Sequence, residues 1–328
     1  MATRRARHHV PTDHDYDRAP GAFEAIRAAK PWCGPDLLPE QRHHERPAAY
    51  ATHTHHLSRL SEARRGVRTS SGLRRLRCAR YDRVMSASAP MATIRTSHGE
   101  MPTYVATPTG DGPWPGVVVI HDFTGMSHDL RNQADWLAEQ GFVAAAPDLY
   151  YWGSRLGCLW TIMRDIGAGQ GRTFEDIDAV RAWLIQQDTC TDKVGVIGFC
   201  MGGGYALALA PGGEYAVASV NYGGCPKDAE QALAATCPIV GSYGKKDSSP
   251  MGWRAAKRLD RALTTLGVDH DVKIYPDAGH GFINDHDPAD MTPLLRALGA
   301  VSRTGYHEPS ARDARERIAS FFHSKLDT

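Results

Sequence analysis

Val194-Gly195-Val196-Ile197-Gly198-Phe199-Cys200-Met201-Gly202-Gly203-Gly204-Tyr205-Ala206-Leu207-Ala208-Leu209-Ala210 is the stretch whose reading decides the fold. Its apolar start predicts a buried strand and its Tyr205 to Ala210 run predicts a helix. Between them stands one cysteine in a Gly-x-Cys-x-Gly setting. A strand that turns this tightly into a helix lifts the side chain at the turn clear of the sheet, and the glycines let the backbone crowd together. Cys200 is therefore a candidate nucleophile. The competing reading, a small buried hydrophobe, suits Cys33, Cys78, Cys158, Cys190, Cys225 and Cys237 better. None of these has the same setting, a C-x-x-C partner or a metal-ligand spacing to a histidine.

Working outward, Thr93 to Thr96 and Pro102 to Thr107 read as a hairpin around His98-Gly99. Gly116 to Ile120 and Phe142 to Ala146 are fully apolar runs that suit strands buried on both faces, with a helix over Leu130 to Gln140 capped by Gly141 between them. A helix over Phe174 to Gln187 precedes the strand Lys193 to Phe199, and the elbow helix takes Gly203 to Ala210. Strands follow at Ala216 to Tyr222, Ile239 to Tyr243 and Asp271 to Tyr275, with helices over Gly252 to Leu266 and Ala311 to His323. Alternation of this kind predicts an α/β fold with a mostly parallel sheet and helices on both faces. In such sheets reactive groups gather beyond the carboxyl ends of the strands. That rule selects His121-Asp122-Phe123, Cys200, Asp247 and His280.

The chain order nucleophile, acid, histidine (Cys200, Asp247, His280) is that of the α/β-hydrolase fold. A free thiol of pKa about 8.5 is mostly protonated at neutral pH, so it needs a base, and a paired histidine supplies one. His280 lies in Pro276-Asp277-Ala278-Gly279-His280-Gly281-Phe282, where glycines on both sides let the loop fold back over the elbow. Asp247 would hold the imidazole's tautomer and stabilise its cation. Backbone N–H groups of Met201 and Phe123 are the expected oxyanion donors.

Composition divides the chain near residue 90. Residues 1 to 90 carry 17 Lys and Arg against 9 Asp and Glu with 8 of the 16 histidines, whereas residues 91 to 328 carry 21 against 28. The first segment lacks sustained apolar periodicity and is expected to be a basic, disordered extension, or absent from a natural product that starts at Met91 or Met85. It has no aromatic interleaving, basic helical face or zinc spacing around His53, His55 and His56, so neither nucleic acid nor a metal is the expected partner. No run of 18 apolar residues is present, which excludes a spanning helix. An odd cysteine count of 7 without a signal-like start points to the cytoplasm. A monomer is favoured.

Ile120-His121-Asp122-Phe123-Thr124-Gly125, Ala146-Pro147-Asp148-Leu149-Tyr150, Gly198 to Gly203, Asp247 and Ala278 to Phe282 together resemble the dienelactone hydrolase family, cysteine-nucleophile members of the α/β-hydrolases. The resemblance spans about Thr93 to Phe322. It implies hydrolysis of an enol-lactone or ester through an acyl-cysteine, with no cofactor. It also implies two departures. The family's glutamate that guards the resting thiol is here the shorter Asp122, and the arginine that holds the substrate carboxylate is here Asn284. Arg155 and Arg164, in the expected lid from Tyr150 to Arg172, are candidates to replace that arginine, and Trp152 to line the pocket. General esterase or thioesterase activity is the nearest alternative. A redox-sensing or ligand-binding protein on the same fold is the alternative from another class.

Overall fold

The computed structural model describes residues 91–287, 290 and 305–327. The expected basic extension over residues 1–90 lies outside the described residues. The chain runs β1 (Met91–Thr96), β2 (Gly99–Ala106), β3 (Trp114–Ile120), α1 (His128–Glu139), β4 (Val143–Pro147), α2 (Arg155–Ala168), α3 (Arg172–Ile185), β5 (Cys190–Phe199) and α4 (Met201–Leu209). It continues β6 (Val217–Asn221), α5 (Ala229–Ala232), β7 (Ile239–Gly244), α6 (Trp253–Leu266), β8 (His270–Tyr275) and α7 (Glu308–Leu326).

The eight strands form one sheet in the order β1-β2-β4-β3-β5-β6-β7-β8. The β1–β2 and β2–β4 pairs are antiparallel and every later pair is parallel. Every residue of β4, β6 and β7 is buried, so both faces of the sheet are covered, as the apolar runs predict. Only the outermost strands β1 and β8 are largely half-buried or exposed. Crossing between β4 and β5 brings β3 beside β5, and Ile120 registers with Gly198. The loop after β3 therefore lies directly beside the elbow.

Sequence periodicity placed most elements within a few residues. The stretch from Tyr150 to Arg172, expected as a lid, carries helix α2, which the sequence periodicity did not announce. Its ends carry ordinary signals: the Ser154 side chain accepts from Gly157 N–H, and Gly169 closes the helix at φ 65°. What obscures it in the sequence is an apolar run with exposed members. The buried stripe is only Cys158, Ile162 and Asp165, one of them charged, while Leu156 is 81% and Trp160 60% exposed, so burial and hydropathy do not coincide along the helix. The single-turn α5 also escapes periodicity, being shorter than one repeat of the pattern.

Candidate active site

Cys200 stands between β5 and α4 at φ 55°, ψ −110°, a conformation that costs an L-residue roughly 1–3 kcal/mol. The surroundings hold it there. Its N–H donates to Asn221 O at 3.0 Å, and its carbonyl accepts from Gly204 N–H at 3.2 Å. Asn221 also donates its side-chain amide to Gly198 O at 3.2 Å, bracing the strand end on both sides of the turn. The glycines are required by contact distance. A Cβ at Gly198 would lie 1.9 Å from Gly202 O, and one at Gly202 would lie 2.2 Å from Ile120 O.

Asp247 and His280 come from the loops after β7 and β8, and Lys246 N–H donates to Ala278 O at 2.9 Å to stitch those loops together. His280 Nδ1 lies 2.7 Å from Asp247 Oδ2, with Asp247 fully buried. Ser249 N–H donates to the other Asp247 oxygen at 2.8 Å. Burial alone would raise the Asp247 pKa, but hydrogen bonds and charge from His280, with Ser249, hold it below the usual value. His280 behaves oppositely. Burial would lower its pKa, but the charge of a Cys200 thiolate together with the Asp247 bond pushes it up to about 10. Its Nε2 is buried with no nitrogen or oxygen partner and is left to the Cys200 thiol, whose hydrogen bond adds to the raised pKa. The imidazole is thus oriented by Asp247 through one nitrogen and coupled to Cys200 through its other side. The Tyr222 ring packs edge-on against it at 5.1 Å.

The loop after β3 is pinned along its length. Leu149 N–H donates to His121 Nε2 at 3.1 Å, so the ring proton sits on Nδ1, which donates to Asp122 O at 2.5 Å. Burial holds the His121 pKa below its ordinary value, in keeping with a neutral strut. The Tyr150 hydroxyl donates to Phe123 O at 3.0 Å and Arg155 donates to Thr124 O at 2.9 Å, fixing the planes around Phe123. Met201, the other expected oxyanion donor, opens α4, where a helix leaves its first N–H groups without intrahelical partners.

Asp122 does not face the thiol as a free carboxylate. Its Oδ1 accepts from Thr124 N–H at 2.8 Å and the Thr124 hydroxyl at 2.5 Å, and its Oδ2 lies 2.9 Å from His286 Nε2. Among the described residues no hydrogen bond joins Asp122 to Cys200. Burial would raise the Asp122 pKa, but His286 and Thr124 outweigh it and lower it. Sequence reading missed His286, which belongs to no motif. Its one signal is a histidine six residues beyond His280 in the same loop.

The candidate substrate residues separate clearly. Asn284 is buried and its amide is already occupied, accepting from the Tyr222 hydroxyl and donating to Asp129 Oδ2 at 2.5 Å, so it works as an internal strut rather than a free substrate contact. Arg164 points away, bonded to Asp165 at 2.7 Å and over the Trp160 ring. Trp152 packs on Tyr151 and under Arg172, at 5.3 and 4.3 Å, toward the β1–β2 hairpin. Arg155, exposed and tied to the loop beside Phe123, is the arginine the fold brings to the site. Among the described residues no group of three or more His, Cys, Asp or Glu is arranged to hold a metal ion. No described helix is long and apolar enough to cross a membrane.

The family model of the dienelactone hydrolase family matches residues 101–326. A Yersinia pestis protein named "Putative carboxymethylenebutenolidase" is 27% identical over 248 residues, covering 70% of this chain and 86% of that protein. The crystal structure of a "Putative Dienelactone Hydrolase" from Klebsiella pneumoniae superposes with TM-score 0.57 at 25% identity, covering 71% of this chain and 96% of the other. The metagenomic dienelactone hydrolase-like promiscuous phosphotriesterase P91, at 21% identity and TM-score 0.58, shares the fold over 72% of this chain and 98% of its own.

Proposed function

The chain belongs to the dienelactone hydrolase family and is a hydrolase of the carboxylic-ester type, and from that premise we propose that it cleaves a small lactone or ester through Cys200, His280 and Asp247. The observation that carries this reading is the 2.7 Å His280–Asp247 bond, which leaves the Nε2 of the imidazole to interact with the elbow thiol.

In the first half-reaction the Cys200 thiolate attacks the carbonyl carbon and forms a C–S bond, while the oxygen's negative charge is met by the N–H groups of Phe123 and Met201. Collapse breaks the acyl C–O bond, and His280 gives its proton to the departing alkoxide or enolate. In the second, His280 takes a proton from water, the hydroxide attacks the thioester, and the acid leaves as Cys200 returns to thiolate. Asp247 keeps the imidazole in its orientation and stabilises its cation throughout. A redox-sensing thiol would need no base positioned to deliver a proton, so the Asp247–His280 geometry favours catalysis over that alternative. General esterase or thioesterase action differs from the proposal only in the acyl or leaving group accepted. Arg155 beside the Phe123 loop favours substrates that carry a carboxylate.

The test is a panel of dienelactones and p-nitrophenyl esters assayed on wild type and Cys200→Ala, with intact-mass detection of the acyl-enzyme. Turnover confined to wild type and an acyl adduct on Cys200 are expected. Full activity in Cys200→Ala would remove the mechanism.

A further inference from the structure

Two histidine–aspartate pairs flank the elbow, and the mechanism above uses only one. In the second, His286 Nε2 lies 2.9 Å from Asp122 Oδ2, and the side chains are 9% and 6% exposed. Its Nδ1 is buried and makes no hydrogen bond. Asp122 is adjacent in sequence to the proposed oxyanion donor Phe123. The charge of Asp122 reaches the same two tyrosines, Tyr150 and Tyr222, that feel the charge of Cys200. Left alone, a carboxylate in so small and buried a space would oppose a thiolate at Cys200, because two like charges in a low-dielectric site disfavour each other.

We propose that His286 is a positioning residue: as a cation it clamps Asp122 against Thr124 and cancels its charge, so that Cys200 can exist as a reactive thiolate before substrate arrives. The proposal rests on the reading of Cys200 as the nucleophile. The groups that face the His286 ring are Asp122 from the loop after β3, Asp129 from α1 and Asp290, which is itself paired with His128 at 3.0 Å. Its sequence neighbours are Asp285 and Asp287. Burial works against the cation, but three carboxylates outweigh it and raise the His286 pKa above its ordinary value. Resting reactivity is then a property of the Asp122–His286 pair, and removing only the cation should suppress it.

The experiment is iodoacetamide alkylation of the full chain without substrate, in which the thiolate sulfur displaces iodide, with Cys200 read separately by peptide mass spectrometry. His286→Gln is expected to slow alkylation of Cys200 at pH 7 about tenfold, the effect of one pKa unit. Asp122→Asn and the double variant Asp122→Asn/His286→Gln are expected to stay within about threefold of wild type, since in neither does residue 122 carry a charge next to the elbow. A His286→Gln profile that matches wild type from pH 6 to 9 would overturn the proposal. So would equal slowing in all three variants. If His286→Gln does not fold, NMR of the histidine rings in wild type decides: a His286 ring cationic at pH 7 supports the clamp, and one neutral at pH 6 refutes it. None of these measurements uses turnover, so loss of the proposed reaction through an active Cys200→Ala would be recognised separately.

Discussion

Charged groups cluster at two places in this molecule, and they are built differently. At the edge of the sheet Arg317 bonds the Asp271 carboxylate at 2.7 Å and the Tyr275 hydroxyl at 2.9 Å, while Lys273 and Tyr275 bond Asp313 at 2.7 and 2.6 Å. The acids there are nearly half exposed, and a surface depression of about 390 Å3 lies over them. At the elbow the Asp247–His280 and Asp122–His286 pairs are buried, and each leaves a second ring nitrogen with no nitrogen or oxygen partner. The edge network joins α7 to β8 by opposing charges in contact with water. Buried titratable pairs of this kind, held away from water with shifted pKa values, mark a candidate site rather than a brace for the fold. The concavity at the edge is therefore no guide to the site.

The largest expected contrast is catalytic. Cys200→Ala should abolish hydrolysis, and His280→Ala and Asp247→Asn should each lower kcat by on the order of a thousandfold or more, since such groups act as a unit. A comparable loss of kcat on changing Asp313 would erase the distinction between the two clusters.

Next in size is the elbow backbone. Gly198→Ala places a methyl 1.9 Å from Gly202 O, a clash with main chain that no rotamer relieves. It should destabilise the protein by about 3 kcal/mol or more, seen as a large fall in Tm or loss of soluble protein. An unchanged melting curve would show that the turn is looser than described.

A smaller effect separates the clusters by pH. His286 has its folded-state pKa raised above 6.5, so its contribution to stability is complete below pH 6.5 and fades as pH rises through the folded value. Asp122 has its pKa lowered below 3.8, so its contribution is present above pH 3.8 and fades as pH falls through the folded value. The Tm difference between wild type and Asp122→Asn should therefore be greatest between pH 3.8 and 6.5. A difference that grows steadily from pH 7 to 10 contradicts the pair.

The smallest effect belongs to the edge. Asp313→Asn breaks a half-exposed pair with Lys273, a kind of contact worth about 0–1 kcal/mol. Chemical denaturation should register that loss while kcat stays at the wild-type value.

Much of this was legible along the chain. The Gly198–Gly202 turn and the apolar runs of β3, β4 and β5 announce a buried parallel sheet, because strands covered on both faces have no polar alternation. The order Cys200, Asp247, His280 names three residues that the fold brings to one end of the sheet. Helix α2 was hidden because its apolar residues do not all turn inward. Asn284 and Asp122 were read by their positions in a motif. Their work is set by the groups across from them: Tyr222 and Asp129 for the first, Thr124 and His286 for the second.

The sequence by itself determined the sheet and the elbow and put Cys200 at its tip as the proposed nucleophile, because glycine spacing and hydrophobic period act over a few residues and can be read locally. Only the tertiary structure decided which carboxylate answers which histidine, that Arg155 and not Arg164 or Asn284 reaches the loop beside Phe123, and that His286 meets Asp122. Those outcomes depend on side chains separated by tens to more than a hundred residues meeting in a buried space. There the strength of a charge is set by its burial and its neighbours, and neither is written in the order of the chain.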